Sequence, residues 1–118
     1  MKEVMVVLRP DRYFQTKQAL SEHRFFAMSS THVVGRGRAH VEMSSCDGKA
    51  ADPAVYRDML FAKKMIDLVV SDESVDELVR VILSVNSTGQ NGDGKIFILP
   101  VEDSVRVHTG ERGEDAIL

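Results

Sequence analysis

Continuous apolar runs bounded by polar breaks predict the strands of this chain. Residues 4–8 are all apolar and mostly β-branched, and the run is too short for a typical helix. Such a run is typical of a buried strand, which we predict over 2–9. Pro10 ends it, because proline holds its predecessor in extended geometry. The same reasoning predicts further strands over 25–37, 64–70, 96–101 and, briefly, 105–107.

Two segments carry helical features. Residues 12–23 are rich in helix formers, although their apolar stripe is weak. The clearer helix begins at Ser74, which forms a Ser-x-x-Glu capping box with Glu77, and its apolar residues recur at i, i+3, i+4 and i+7. Gly89 is predicted to end it, because glycine adopts the left-handed conformation of a helix cap.

The order of these elements is strand, helix, strand, strand, helix, strand. It predicts an α+β fold, the ferredoxin-like βαββαβ sandwich, in which each half repeats strand–helix–strand. Helices on one face of a four-stranded sheet leave the other face bare. In a chain of 118 residues we expect subunit association to cover that face.

Composition narrows the class of protein. The length fits one domain, and the apolar and charged fractions of 43% and 28% are those of a folded soluble protein. A net charge of −3 with interspersed signs gives no electrostatic footprint for nucleic acid. No apolar run is long enough to insert in a membrane, no signal peptide is evident, and Cys46 is the single cysteine. We therefore expect a cytoplasmic protein.

Two glycine-rich stretches are candidate anion sites. Residues 89–96 (GQNGDGKI) nearly spell a P-loop, but Ile96 replaces the serine or threonine that holds magnesium, and a strand follows where a helix is required. The stretch still suits backbone amides approaching a phosphate, or it is simply a turn before a strand. Residues 35–38 (GRGR) could likewise bind an anion, or form a strand-ending turn with solvated arginines.

Other polar segments have plain explanations by themselves. Residues 109–115 are typical of a solvated charged tail, and Lys63 begins a strand where a solvated lysine is ordinary. The histidines lack metal-ligand spacing, and Cys46 has no evident base partner for nucleophilic chemistry. Residues 39–57 carry no period of either kind, and a loop of that length in a compact domain is usually functional or disordered.

Taken together, these segments resemble the PII nitrogen-regulatory signal-transduction family over nearly the whole chain except the central loop. The most specific match is 88–111, where many consecutive residues agree in order and spacing. Residues 35–38 fall where the second strand of that family enters its long projecting loop, the T-loop. The segments 1–5, 85–89 and 97–101 look like the nitrogenase-associated branch of the family.

The resemblance implies one domain over 1–118, with a T-loop over about 38–58 and a C-terminal tail over 108–118. It also implies a homotrimer, or a heteromer with a paralogue, that binds ATP or ADP in clefts between subunits, with Mg²⁺ accompanying ATP. Lys63 matches the family lysine that contacts 2-oxoglutarate. Carried over by position, the nucleotide contacts are Val7, Ser29, Gly35, Gly37, Arg38, Val69, Gly92, Asp93, Gly94, Lys95, Arg106, His108 and Thr109.

Three positions depart from the family pattern. Ala39 stands where the family commonly has a glutamine that coordinates magnesium and orients 2-oxoglutarate, and alanine offers no oxygen. His108 replaces a phosphate-contacting arginine, exchanging a permanent charge for one that titrates near neutrality. Tyr56 lacks the flanks expected of a uridylylation site. The first departure predicts weaker effector binding, and the second predicts weaker or pH-sensitive nucleotide affinity.

The resemblance thus implies a regulator that acts by binding and is not an enzyme. Nucleotide and effector would bias the T-loop between conformations, and the loop would control a partner. The nitrogenase-associated features predict a nitrogenase component as that partner. An ammonium transporter or glutamine synthetase is the alternative target, and a nucleotide-hydrolysing enzyme is disfavoured because no general base stands near a magnesium ligand.

Overall fold

The computed structural model describes residues 1–38 and 59–118. Its four strands form one sheet with the order β2-β3-β1-β4, in which every neighbouring pair is antiparallel. Chain order is therefore rearranged in space, and β1 lies inside the sheet between β3 and β4. The strands are β1 (Lys2–Leu8), β2 (Ser29–Gly35), β3 (Phe61–Val70) and β4 (Gly94–Pro100).

Two helices connect the strands, α1 (Tyr13–Glu22) and α2 (Val75–Asn86). A single 3-10 turn precedes each helix, at Pro10–Arg12 and at Asp72–Ser74. The order βαββαβ is thus confirmed, and with it the α+β, ferredoxin-like class. No helix in the described part of the chain is long and apolar enough to cross a lipid bilayer.

The core lies between the helices and one face of the sheet. Alternate residues of β1 are buried, and the register sets Val6 beside Ile66 and Val4 beside Leu68. Full burial of a side chain of this size contributes about 1.5–3 kcal/mol. Buried apolar residues come from β1, β3 and both helices: Val4, Val6, Leu8, Leu20, Ile66, Leu68, Val70, Leu78, Val81 and Ile82.

A buried polar pair ties the two helices together. The Asn86 side-chain amide donates to Thr16 Oγ1 at 3.0 Å and to the Ile82 carbonyl at 2.9 Å. The Thr16 hydroxyl in turn donates to the Arg12 carbonyl at 2.7 Å. These bonds satisfy the Thr16 hydroxyl and the Asn86 amide nitrogen, whereas Asn86 Oδ1 is buried without a hydrogen-bond partner among the described residues.

The opposite face of the sheet is not covered by the helices. The register brings Met5 beside Asp67 and Phe97, and Val7 beside Met65. Phe97 remains 47% exposed and Leu99 38% exposed. This open face, formed by the outward residues of the four strands, is the bare face that the sequence predicts.

The predicted capping box is wrong. Ser74 ends the 3-10 turn and makes no side-chain cap, and its hydroxyl lies 2.9 Å from that of Ser71. The turn satisfies the backbone at the entrance of α2, because the Ser74 amide donates to the Ser71 carbonyl. A hydrogen-bonded turn therefore replaces the side-chain cap.

Several strand boundaries also differ from prediction, and the largest differences are at the starts of β2 and β3. β2 begins at Ser29, four residues later than expected, because Arg24 adopts φ 65° and the Phe25 amide donates back to Leu20 at the end of α1. β3 begins at Phe61, three residues early, through its pairing with Gly35.

The C-terminal segment is more ordered than a solvated tail. The predicted strand at 105–107 is reduced to one bridge between Val105 and Arg112. Arg112 forms an ion pair with Asp103, and the chain then makes a 3-10 turn over Gly113–Ala116. The Arg112 guanidinium and the Ser104 backbone amide hold the pKa of the Asp103 carboxyl below its usual value.

Candidate functional site

The glycine-rich turn before β4 lies beside the end of β1. Gly89, Gly92 and Gly94 adopt φ of 77°, 90° and 121°, which side chains other than glycine rarely adopt. At Gly94 the space is also missing, since a Cβ would lie 2.0 Å from the Val7 carbonyl oxygen. The Gly94 glycine is therefore required by strand packing, whatever else its backbone binds.

Arg9, which directly follows β1, the strand next to β4, holds this turn. Its Nε donates to the Gly92 carbonyl at 3.0 Å and its Nη2 to the Asn91 carbonyl at 2.7 Å. The same Nη2 lies 3.5 Å from Asp93 Oδ1. Sequence analysis missed Arg9, and only the pairing of Leu8 with Gly94 could have indicated it.

Asp93 also serves the turn. Its carboxylate accepts from the Thr88 backbone amide at 2.7 Å and from the Thr88 hydroxyl at 2.6 Å. These two bonds, with a smaller contribution from Arg9, hold the pKa of Asp93 below its usual value. Asp93 was predicted as a nucleotide contact, and in this structure it keeps the turn closed.

The turn opens into a cavity of about 350 Å³, here called the turn-side cavity. It gathers a lysine from each of two strands: Lys63 on β3 and Lys95 on β4. Lys63 Nζ approaches the Gly92 carbonyl at 3.4 Å. The cavity is lined by Val7, Gly35, Arg36, Gly37, Lys63, Gly92, Gly94, Lys95 and Phe97.

A second cavity of about 470 Å³, the tail-side cavity, holds a different part of the predicted site. Ser29, Val69 and Arg106 line it together with Asp67, which the sequence analysis did not single out. The last residues, 116–118, also line it.

The two cavities divide the predicted site within one chain. Val69 pairs with Glu3, four residues along β1 from Val7. At about 3.3 Å per residue, Val7 and Val69 lie roughly 13 Å apart along the sheet. A single chain therefore keeps these two predicted nucleotide contacts apart, and two others, Lys95 and Arg106, also line different cavities.

Arg106 is bound by its own chain. Nη1 donates to the Glu111 carboxylate at 2.5 Å, and Nη2 donates to the carbonyls of Asp115 and Leu118 at 2.9 and 2.6 Å. The Thr109 hydroxyl donates to the same Glu111 carboxylate at 2.9 Å.

Four of the predicted nucleotide contacts line neither cavity: Asp93, described above, and three others. His108, Thr109 and Arg38 are exposed and line neither. Ala39, Tyr56 and the T-loop after residue 38 lie outside the described residues.

The open face also carries an acidic pair, Glu3 and Asp67. They are diagonal neighbours on β1 and β3, since Glu3 pairs with Val69 and Met5 with Asp67. The Asp67 carboxyl hydrogen-bonds and repels the Glu3 carboxyl, which raises the pKa of Glu3. Asp67 Oδ1 is buried and has no hydrogen-bond partner among the described residues. No group of three or more metal-ligating side chains occurs within 1–38 and 59–118.

Comparison with known proteins agrees with this architecture. The family model of nitrogen regulatory protein P-II matches residues 1–111. The chain is 41% identical to the nitrogen fixation nifHD region GlnB-like protein 2 of Methanobacterium ivanovii, covering 100% of both chains. It is 40% identical to the nitrogen regulatory protein P-II 2 of Methanothermobacter thermautotrophicus, covering 99% of this chain and 97% of the relative.

A solved relative has the same fold. The crystal structure of Arabidopsis thaliana PII bound to citrate superposes with a TM-score of 0.76 at 32% identity, covering 98% of this chain and 88% of that one. The family and the names of its members are those of signal-transduction regulators, which confirms that the chain is not an enzyme. By its sequence match and its fold, the chain belongs to the nitrogen regulatory protein P-II family.

Proposed function

We propose that this P-II protein binds ATP or ADP between subunits of a trimer and regulates a nitrogen-fixation partner through its T-loop. The observation that carries the proposal is the division of the predicted site between two cavities. A nucleotide that contacts both sets needs the turn-side cavity of one subunit and the tail-side cavity of another.

The open face supports association. Its apolar residues, including Met5, Met65, Phe97 and Leu99, lie on a face that neither helix covers. Apolar patches of this kind mark protein interfaces. Association would bury the face and bring a second subunit's tail-side cavity towards the turn.

The turn-side cavity suits phosphates. Gly92 and Gly94 have no side chains to shield the backbone of 92–94, and Lys95 adds a positive charge at the same edge. Arg9 holds the turn in place by donating to two of its backbone carbonyls. The backbone amides of the turn therefore remain available for an anion. This is binding without covalent chemistry.

Lys63 is the candidate contact for 2-oxoglutarate. It lines the cavity beside Gly37, and a carboxylate is its natural partner. The solved relative is bound to citrate, another polycarboxylate. With alanine at position 39, Mg²⁺ would complete its octahedron with nucleotide phosphates and water, so 2-oxoglutarate should require Mg-ATP.

The relatives' names favour nitrogen fixation as the regulated process. The nifHD region GlnB-like proteins are named for it, which supports a nitrogenase component as partner. An ammonium transporter or glutamine synthetase is the alternative. The full chain should retain a nitrogenase component from nitrogen-fixing cells, and a chain lacking 40–56 should not. Retention of a transporter or synthetase in its place would contradict a nitrogenase component as the partner and support that alternative target.

Calorimetry tests the nucleotide site. Replacing Lys95, Arg38 or Arg106 with alanine should weaken ATP binding, and Lys95→Ala should cost at least about 1.5 kcal/mol, the lower range for a charge-assisted contact. Lys17→Ala removes the same charge from an exposed position of α1 and should change nothing. Unchanged affinity in all three variants would contradict the site, and light scattering that finds a monomer would contradict the trimer.

Titration with 2-oxoglutarate in saturating Mg-ATP tests the effector site. Lys63→Ala should abolish binding, and Ala39→Gln should tighten it. Lys64→Ala is the matched control, because Lys64 belongs to the other face, with Nζ 4.5 Å from the Tyr13 ring centroid. Absence of binding in both the wild type and Ala39→Gln would leave a sensor of adenine nucleotide alone.

A further inference from the structure

The guanidinium of Arg106 is surrounded by acceptors from its own chain. Both terminal nitrogens donate to them, Nη1 to the Glu111 carboxylate and Nη2 to the carbonyls of Asp115 and Leu118. These three acceptors are here called the Arg106 clasp. They occupy the donors that a bidentate contact to a phosphate would use.

One residue of the clasp, Leu118, also lines the proposed binding cavity. Residues 116–118 line the tail-side cavity together with Ser29, Val69 and Arg106. The tail therefore occupies the cavity proposed for the nucleotide, and it uses the Arg106 donors that the nucleotide would use. The 3-10 turn over Gly113–Ala116 directs the chain back towards Arg106, and the Ile117 amide donates to the Glu114 carbonyl at 3.2 Å.

We infer that the Arg106 clasp, formed by Glu111 and by the tail residues 114–118, competes with the nucleotide for Arg106. The inference rests on the proposed nucleotide site and adds its regulation. A phosphate that reaches Arg106 takes the place of the Asp115 and Leu118 carbonyls at Nη2, and the tail then leaves the cavity. Nucleotide occupancy is thereby transmitted to the position of the tail, at the opposite end of the open face from the glycine-rich turn.

Shortening the chain tests the competition directly. A chain that ends at Gly113 loses the two carbonyl acceptors and keeps the Glu111 carboxylate. Calorimetry should show ATP binding three- to tenfold tighter than in the full chain. Equal or weaker binding by a folded, trimeric short chain would overturn the competition and leave the proposed site intact. No ATP binding by either chain would overturn both.

Two substitutions in the full-length chain test the same competition without removing any residues. Glu111→Gln removes the charged acceptor from the clasp, and Glu114→Gln removes the same charge from a residue whose side chain is outside it. Glu111→Gln should tighten ATP binding at least threefold more than Glu114→Gln. Equal effects would mean that only net charge matters, which would overturn the inference.

Hydrogen exchange gives a readout that affinity alone cannot. In the full chain, saturating ATP should speed exchange of the Ile117 amide, because the released tail loses its turn. An Ile117 amide that exchanges more slowly or at an unchanged rate with ATP bound would contradict displacement of the tail. In Arg106→Ala the clasp is already absent, so exchange should be fast with or without ATP.

Discussion

The two faces of the sheet are built from the same strands and differ in what they do. On β1, Val4 and Val6 are buried against the helices, while Met5 and Val7, between and beside them, lie on the open face. The buried core beneath the helices is apolar except for the Thr16–Asn86 pair. The open face mixes apolar residues with the Glu3–Asp67 pair and with Lys63 and Lys95.

The difference between the two faces shows which residues stabilise the fold and which are available for function. Neighbouring residues along a strand lie in different environments, because successive side chains point to opposite faces of the sheet. One face therefore fixes the fold, and the other is free to carry charge and cavities. Changes on the first face should affect unfolding, and changes on the second should affect association and ligands.

The largest effect is expected in the core. Leu78→Ala should lower the free energy of unfolding by about 2–5 kcal/mol, the usual cost of deleting a fully buried leucine. Leu99→Ala on the open face is the matched control and should cost about 1 kcal/mol in the separate chain. Because Leu99 would act through association, its effect should depend on protein concentration in chemical denaturation, and that of Leu78 should not. The reverse pattern would break the comparison.

Gly94, the first residue of β4, packs beside the end of β1, and its replacement should have the next largest effect. Gly94→Ala should cost about 2–4 kcal/mol, because the added Cβ meets the Val7 carbonyl and φ is 121°. Gly89→Ala is the control, since its φ of 77° adds strain without a contact within 4 Å. Equal losses in thermal or chemical unfolding would show that backbone strain alone, and not the close approach, requires glycine at 94.

Arg9 tests whether the turn needs support from the sheet. Arg9→Gln should weaken ATP binding about tenfold, which corresponds to the loss of a charged hydrogen bond. Arg9→Lys should recover only part of it, because an ammonium lacks the fork that reaches two carbonyls. Arg80→Gln on α2 removes an equal charge at an exposed position as a control. If Arg9→Gln loses stability with no change in the dissociation constant, the role of Arg9 is structural alone.

The smallest expected effect is the pH dependence of the acidic pair. The folded state raises the pKa of Glu3 through the Asp67 carboxyl, so its favourable contribution is present below the unfolded pKa and lost as pH rises through the folded one. Glu3→Gln should therefore gain stability relative to the wild type as pH rises from about 4 to 7. Asp103→Asn should change in the opposite direction and at lower pH, losing stability relative to the wild type as pH rises towards about 4, because Arg112 lowers the pKa of Asp103. Parallel pH profiles of unfolding for the two variants would contradict the assignment.

Patterns that act over a few residues were predicted well from the sequence. The apolar run at 4–8 and the helical period from Val75 identify β1 and α2, and together with the other segments they give the order βαββαβ. The capping box was wrong because a turn from Ser71 satisfies the same backbone groups. The start of β2 was misplaced because Arg24 and Phe25 still belong to the end of α1.

The sequence by itself determined the fold class, the family and the glycine-rich turn. Each of these depends on residue type and short spacing, which the chain carries without its three-dimensional form. Only the tertiary structure decided that Arg9 supports the turn, that the predicted site divides between two cavities, and that the tail binds Arg106. Arg9 and Asn91 are 82 positions apart, and strand register alone brings them together.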